Sequence, residues 1–132
     1  MKVSHMTFVV RDLKRSTEVF TEIFDAKEVY SSKEKQYSLF PETFLLIGDL
    51  WVALMEDKQT KLPKTYNHVA FEITPEQIPL YKEKLRLLDL KIEEGRSRVS
   101  GEGTSIYFYD DDDHLFELHA GNLNERLKRY EE

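Results

Sequence analysis

The sequence contains no cysteine and no low-complexity tract. The lack of cysteine excludes disulfides, thiolate metal sites and a cysteine nucleophile, so any chemistry must come from histidine, carboxylate and hydroxyl groups. No run approaches the roughly 20 apolar residues of a membrane span, and no apolar signal-peptide region follows the first residues. We therefore expect a soluble cytoplasmic protein.

Positive charge is in deficit, because 19 Lys and Arg face 25 Asp and Glu, giving a formal net charge of −6 over 132 residues. The basic residues are interspersed with acidic ones and form no stripe that would attract a phosphate backbone. This argues against nucleic acid as a partner. The length fits one compact domain, or two small half-domains that share a core.

An internal repeat organises the chain. Ser4-His5-Met6-Thr7-Phe8 and Asn67-His68-Val69-Ala70-Phe71 both place a histidine three residues before a phenylalanine in a strand-like pattern. A helix capped by Asp12 follows the first segment, and a helix opened by Thr74-Pro75-Glu76 follows the second. Further strand-like runs follow each helix, including Tyr37–Phe40. The sequence predicts an α+β fold of two βαβββ units with these bounds: 1–57, a linker at 58–65, 66–121, and a tail at 122–132.

Strand parity separates a reactive face from an apolar one, because residues two apart share a face. The apolar face, with Val52, Leu54, Phe108 and Phe116 among its members, suits a core under the helices. The opposite face carries the reactive side chains of the strands, with one alanine among them. Its members are His5, Thr7, Trp51, Ala53, Tyr66, His68, Ser105, Tyr107, Glu117 and His119.

His5, His68 and Glu117 are candidates for a two-histidine, one-carboxylate metal site that suits Mn, Fe, Co, Ni or Zn. The repeat offers a fourth symmetric position near Ala53, where alanine would leave room for water or substrate. Taken singly, each histidine is more often a hydrogen-bonded structural residue. The shared face of all three favours a metal site. His119 lies on the same face without a repeat partner, which suggests a supporting or structural role.

The chain resembles the vicinal oxygen chelate, or glyoxalase-like, superfamily, and within it the fosfomycin-resistance proteins. The resemblance covers essentially the whole chain and implies two βαβββ units that form a curved mixed sheet. It also implies a domain-swapped homodimer in which each metal site combines His5 of one chain with His68 and Glu117 of the other. The segments that carry it are Ser4-His5-Met6-Thr7, Tyr66-Asn67-His68-Val69-Ala70-Phe71, Gly101-Glu102-Gly103-Thr104-Ser105-Ile106-Tyr107-Phe108-Tyr109-Asp110, His114-Leu115-Phe116-Glu117-Leu118-His119-Ala120-Gly121 and Glu125-Arg126-Leu127.

The resemblance implies an enzyme that opens the oxirane of fosfomycin, a small epoxide phosphonate, with a divalent metal held by His5, His68 and Glu117. Mn²⁺ is favoured because the family uses it. The family's branches use glutathione, a bacillary thiol or water as nucleophile. The segment Phe40-Pro41-Glu42-Thr43-Phe44 is similar to the water-using, FosX-type branch, which assigns Glu42 as general base. Without the resemblance, Glu42 reads as an ordinary exposed turn residue.

The resemblance also implies which residues bind the phosphonate or line its pocket. Arg126 matches a phosphonate-binding arginine, and Arg98 is a second cationic candidate. For each hydroxyl taken alone, packing is the more common role, but the face that the hydroxyls share with the metal-ligand candidates favours the pocket. Trp51 either forms an apolar wall beside the oxirane or packs in the core. The full predicted set of substrate-binding residues is Thr7, Trp51, Tyr66, Arg98, Ser105, Tyr107 and Arg126.

Three alternatives stay open: a thiol transferase of the same fold, a protein that binds the drug without transforming it, and a hydrolase of another epoxide.

A further motif, the acidic run 110–113, lacks the spaced ligands and terminal glutamate of a calcium loop. It is predicted to be a solvated turn, together with His114.

Overall fold

The structure is a computed structural model that describes residues 1–32, 39–94 and 103–131. The chain divides into two compact units, Met1–Leu62 and Pro63–Glu132. Each unit contains one four-stranded mixed sheet. Within the described ranges, no helix is long and apolar enough to cross a membrane.

The first unit is a βαβββ element with sheet order β1-β4-β3-β2. Strands β1 and β4 are parallel and the other pairs are antiparallel. Apolar residues at helical spacing, including Val19, Phe20 and Ile23, bury one face of the helix α1, which packs on β2, β3 and β4. The elements are β1 (His5–Val10), α1 (Leu13–Phe24), β2 (Lys27–Ser31), β3 (Glu42–Ile47) and β4 (Leu50–Glu56).

Helix α1 begins where the sequence predicts, because two carboxylates satisfy its first amides. The Asp12 side chain accepts a hydrogen bond from the Arg15 amide at 3.0 Å, as an N-cap residue does. The Leu13 amide donates to Glu56 Oε2 at 2.9 Å. The helix ends at Asp25, whose φ of 54° lies in the left-handed region. Hydrogen bonds to Asp12 and Glu56 therefore fix the start of the helix, and the left-handed conformation of Asp25 fixes its end.

The second unit repeats the arrangement with sheet order β5-β8-β7-β6, in which β5 and β8 are parallel. Leu85 from the helix α2 is buried, as are Ile106, Phe108 and Phe116 from the strands. The elements are β5 (His68–Glu72), a 3₁₀ turn (Pro75–Gln77), α2 (Ile78–Leu87), β6 (Ile92–Glu93), β7 (Thr104–Tyr109), β8 (Leu115–Ala120) and α3 (Leu123–Tyr130).

Two details differ from the sequence-based prediction. The second helix opens with a separate 3₁₀ turn at Pro75–Gln77, whose entry is fixed by the Thr74 amide donating to Gln77 Oε1 at 2.9 Å. The strand predicted at Tyr37–Phe40 is wrong in its described part, because residues 39 and 40 form a bend before Pro41. Residues 37 and 38 lie outside the described residues.

The α+β fold of two βαβββ units is confirmed, and the strand registers make the repeat explicit. His5 opens β1 and His68 opens β5. Two residues later in each unit, Thr7 is paired with Ala53, and Ala70 is paired with Glu117. Ala53 therefore occupies in the first unit the strand position that Glu117 occupies in the second. The predicted homodimer stays a prediction.

Candidate functional site

Glu117 lies at the middle of β8, the strand between β5 and β7. Its neighbours across the sheet are Ala70 on β5 and Tyr107 on β7. Alternation along β8 places Glu117 and His119 on one face of the sheet. Because Ala70 carries only a methyl group, the space between Glu117 and the diagonal residue His68 stays open. The sheet thus brings a carboxylate and an imidazole together.

His68 is oriented by the backbone just before it. Its Nδ1 lies 2.7 Å from the Tyr66 carbonyl oxygen, which can only accept, so Nδ1 carries the proton. Nε2 then faces Glu117 Oε1 at 3.1 Å. With Nδ1 protonated, the neutral imidazole offers a lone pair at Nε2, and a metal ligand needs a lone pair at that atom.

The His68 and Glu117 atoms have the spacing of two ligands of one metal ion. Metal bonds to imidazole nitrogen and carboxylate oxygen measure about 2.0–2.2 Å. Two ligand atoms at such distances and about 90° apart lie roughly 3.0 Å from each other, as in the octahedral geometry of hard divalent ions. The observed Nε2–Oε1 distance of 3.1 Å fits this arrangement. The pair can therefore hold a divalent cation.

The second oxygen of Glu117 is held by hydrogen bonding. Ser105 Oγ donates to Glu117 Oε2 at 2.5 Å, and His119 Nδ1 lies 3.3 Å from the same oxygen. Glu117 is only 5% exposed, and a buried carboxylate needs such partners to offset its lost hydration. Ser105, predicted to bind substrate, is thus found at the carboxylate of the metal-ligand candidate.

Two tyrosines flank the His68 imidazole. The Tyr66 ring centroid lies 4.9 Å from that of His68, and the buried Tyr107 ring meets His68 edge-on at 5.6 Å. Tyr66 is 64% exposed. Both tyrosines were predicted from strand parity to share a face with His68, and both lie beside it. A ligand at His68 would therefore meet their rings.

Arg126 lies in the first half of α3, which begins after the cap residue Asn122. The Asn122 side chain accepts from the Glu125 amide at 2.9 Å. Arg126 lines a cavity of about 410 Å³ together with Glu117 and His119, and its Nη2 lies 3.4 Å from His119 Nε2. No carboxylate among the described residues pairs with the Arg126 guanidinium. The cation can therefore serve an anion in the cavity.

In the first unit, His5 is oriented from two sides. Its Nδ1 lies 3.1 Å from Ser4 Oγ, and its ring lies 4.2 Å from the Trp51 ring. Trp51 also makes an edge contact with Phe44 at 5.2 Å. Its buried indole Nε1 has no hydrogen-bond partner in the part of the chain that the structure describes. Trp51 thus packs against the metal-ligand candidate His5, while Thr7 is exposed beside Ala53.

Glu42, the predicted general base, opens β3 and is 6% exposed. Its main chain is fixed, because its amide donates to Ser32 Oγ at 2.8 Å and its carbonyl accepts from the Ser32 amide at 3.0 Å. No residue within the described ranges donates a hydrogen bond to its carboxylate. The carboxylate oxygens are not among the buried atoms that lack a partner, so they keep contact with solvent and can accept a hydrogen bond from water or a ligand.

Arg98, the second cation predicted to bind the phosphonate, lies outside the described residues. The acidic run is not the solvated turn expected, because Asp110 and Asp112 are 8% and 7% exposed. Asp110 accepts hydrogen bonds from the amides of Asp112 and His114, at 2.9 and 2.8 Å, and from His114 Nδ1 at 2.8 Å. The side-chain atoms of Asp110, Asp112 and His114 that could ligate a metal ion lie within 4.8 Å of one another. The hydrogen bonds of Asp110 close the hairpin.

His119 has more contacts than its position in the sequence indicates. It touches Ser105, Glu117 and Arg126, three residues that the sequence had already selected. Its shared face with Glu117, two residues away, was the available signal. The role of its two ring nitrogens could not be predicted from that signal, because parity gives the face and not the hydrogen-bond partners.

Comparison with known proteins finds a matching family and similar sequences. Residues 2–118 match the family described as Glyoxalase/Bleomycin resistance protein/Dioxygenase superfamily. The chain is 52% identical over 128 residues to fosfomycin resistance protein FosX of Listeria innocua, covering 97% of this chain and 96% of the relative. It is 36% identical over 132 residues to metallothiol transferase FosB of Bacillus licheniformis, covering 98% and 81%.

A solved structure is also similar. It is a variant of FosX from Listeria monocytogenes in complex with Mn(II) and 1S,2S-dihydroxypropylphosphonic acid, with a TM-score of 0.90 and 48% identity. The match covers 97% of this chain and 98% of that chain.

Replacing Ser105 by alanine removes the hydroxyl donor from Glu117 Oε2. We expect Ser105→Ala to lower the free energy of unfolding of the metal-free protein by about 1–3 kcal/mol, since a buried acceptor loses a partner. Urea denaturation measures it. Thr104→Ala, an exposed neighbour on β7, is the control and should change the value by only about 0.5 kcal/mol. Equal effects of the two substitutions would contradict the assignment.

Proposed function

This chain belongs to the glyoxalase/bleomycin resistance protein/dioxygenase superfamily, and we propose that it is a metal-dependent hydrolase that adds water to the epoxide ring of fosfomycin. The observation that carries the proposal is the 52% identity to FosX over nearly the whole of both chains. The product would be a vicinal diol phosphonate. A diol of this kind, 1S,2S-dihydroxypropylphosphonic acid, is the ligand in the FosX structure similar to this chain.

The proposed metal ligands are His5, His68 and Glu117, with Mn²⁺ as the favoured ion. Two of the three, His68 and Glu117, support the proposal through their 3.1 Å spacing. Mn(II) is bound in FosX structures similar to this chain. When bound, the ion supplies Lewis-acid chemistry that offsets negative charge on the oxirane oxygen as the ring opens.

Glu42 is the proposed general base. Its carboxylate takes a proton from water while the water oxygen forms a bond to a ring carbon and the carbon–oxygen bond of the oxirane breaks. The ring oxygen keeps the electron pair of that bond and is protonated to give the second hydroxyl group. Proton transfer of this kind contributes roughly a hundred- to ten-thousand-fold to the rate. The Glu42 carboxylate has no hydrogen-bond donor in the described ranges and keeps contact with solvent, so it is available to accept a proton from water, which supports this role.

The phosphonate needs cations and donors, and we assign it to Arg126 with the hydroxyls of Thr7, Tyr66 and Tyr107. Ser105, whose one hydroxyl proton is donated to Glu117 Oε2, is assigned to the lining of the pocket. A guanidinium is well suited to bidentate contact with phosphonate oxygens. Arg126 lines the same cavity as Glu117, which supports its part in the assignment. The other proposed contributors are Arg98 as a second cation and Trp51 as an apolar wall.

A thiol transferase is the second candidate function, because the chain is 36% identical to FosB over 98% of its length. A thiol nucleophile would not need Glu42 to deprotonate water. The two candidates therefore differ in the required co-reactant and in the required residue.

Phosphorus NMR of fosfomycin distinguishes the candidates. With metal-stripped protein, added Mn²⁺ and no thiol, we expect a diol phosphonate signal that grows over many turnovers. The same reaction without Mn²⁺ is the control and should stay unchanged. If only added glutathione or bacillithiol produces a new signal, the transferase function replaces the hydrolase function. If fosfomycin binds with no turnover under any condition, the protein is a binding protein.

Glu42→Gln keeps the size of the side chain and removes its basicity. We expect diol formation to fall by at least about a hundredfold while the protein still binds Mn²⁺. Glu28→Gln, at an exposed glutamate on β2, should leave turnover unchanged. Unchanged turnover in Glu42→Gln would remove this residue from the mechanism.

The proposed homodimer shares each metal site between two chains, with His5 from one chain and His68 and Glu117 from the other. His5→Ala and His68→Ala should each be inactive alone, because each homodimer loses a ligand in both sites. Mixed dimers keep one intact site, so an equilibrated equal mixture should regain about a quarter of the wild-type turnover. A mixture as inactive as its components would show that the sites are not shared in this way.

A further inference from the structure

Hydrogen bonds connect Arg126, His119, Ser105 and Glu117 in one direction. Arginine can only donate, so His119 Nε2, 3.4 Å from Arg126 Nη2, is the acceptor. The neutral imidazole then carries its proton on Nδ1, which donates to Ser105 Oγ at 2.7 Å. The Ser105 hydroxyl in turn donates to Glu117 Oε2 at 2.5 Å. Each link supplies a donor to the next residue.

Two glycines leave space for the His119 ring. A Cβ at Gly121 would lie 2.8 Å from His119 Nε2, and one at Gly103 would lie 3.1 Å from His119 Cε1. Gly103 also has a φ of +84°, a conformation that side chains disfavour. A side chain at Gly121 would displace the imidazole, whereas one at Gly103 would clash first with the Ala120 carbonyl oxygen and then crowd the imidazole. The ring position is therefore set by close backbone approach as well as by hydrogen bonds.

The two nitrogens of His119 serve two different groups of the site. On the Nδ1 side, Ser105 holds Oε2 of Glu117, which leaves Oε1 directed at His68 Nε2, 3.1 Å away. On the Nε2 side lies the Arg126 guanidinium, in the cavity that Glu117 and His119 also line. The His119 imidazole thus contacts both Ser105, which holds the Glu117 carboxylate, and Arg126, which lines the cavity.

We propose that His119 is a positioning residue that sets the metal affinity through Ser105 and Glu117, and sets phosphonate binding through Arg126. The inference rests on the proposed function, in which Glu117 is a metal ligand and Arg126 binds the phosphonate. His119 itself touches neither the metal nor the substrate in this assignment. Residues that orient a metal ligand typically contribute 10–100-fold to metal affinity or activity.

The two functions of the ring can be separated by substitution. Asparagine places its amide N–H near the position of Nδ1, so His119→Asn keeps a donor for Ser105 and loses the acceptor for Arg126. Phenylalanine fills the space of the ring with neither group. If His119 had only a structural role, both variants would lose stability, and Mn²⁺ affinity and KM would change together in each of them.

The test measures Mn²⁺ affinity of the metal-stripped full chain by electron paramagnetic resonance, and KM and kcat for fosfomycin at saturating Mn²⁺. We expect His119→Phe to weaken Mn²⁺ binding about 10–100-fold and to raise KM. We expect His119→Asn to restore Mn²⁺ affinity to within a few-fold of wild type while KM stays raised. Wild-type Mn²⁺ affinity in His119→Phe, or equally weak binding in both variants, would overturn the proposal. If His119→Phe does not fold, His119→Asn alone decides, through the divergence of Mn²⁺ affinity and KM.

Two further variants make the outcomes distinguishable. Glu117→Gln tests the metal site itself: if it binds Mn²⁺ like wild type, the proposed function fails at its metal centre. If Glu117→Gln loses Mn²⁺ and His119→Phe does not, only the role of His119 fails. Thr17→Val is the control, because it removes a part-buried hydroxyl that donates to the Leu13 carbonyl within helix α1, away from every proposed metal or phosphonate contact. It should keep wild-type Mn²⁺ affinity and KM.

Discussion

The buried carboxylate of Glu117 is the constraint from which the arrangement of the second unit follows. A charged group that is 5% exposed on the middle of a strand must be surrounded by donors or a cation, since its lost hydration otherwise costs several kcal/mol. Ser105 supplies a donor to one oxygen, and the other oxygen faces His68 Nε2, where the proposed metal ion would supply positive charge. Ala70 on the neighbouring strand is small enough to leave this contact open. The carboxylate is thus held in one orientation, as its proposed role in metal binding requires.

The two units of the repeat carry different side chains at equivalent strand positions. The position of Glu117 on β8 corresponds to that of Ala53 on β4, by register with Ala70 and Thr7. Because alanine carries no charge, the first unit needs no donors around that position. Its strands instead hold His5 against the Trp51 ring. The chemistry of the two units differs although their strand orders are the same.

Periodicity predicted the helices, most of the strands and the face that carries the polar side chains, because burial on one side of a sheet leaves an alternating pattern in the sequence. It failed at Leu39 and Phe40, which form a bend. It placed His68, Ser105 and Glu117 together correctly. The burial of Asp110 escaped prediction, because it depends on side-chain hydrogen bonds to two amides of its own turn. The links of His119 escaped for a similar reason, since they depend on which nitrogen carries the proton.

Under the proposed function, the part of the metal and phosphonate site that the second unit supplies is separable from the group that selects the nucleophile, although His5 and Thr7 of the first unit also contribute to the site. Ser105, Glu117 and Arg126 belong to the second unit, whereas Glu42 opens a strand of the first. A hydrolase needs a base to remove a proton from water, and a thiol can react without that base once it is ionised. Similarity to both FosX and FosB over nearly the whole chain is then expected, because a change near Glu42 can alter the nucleophile while the supports of Glu117 stay intact.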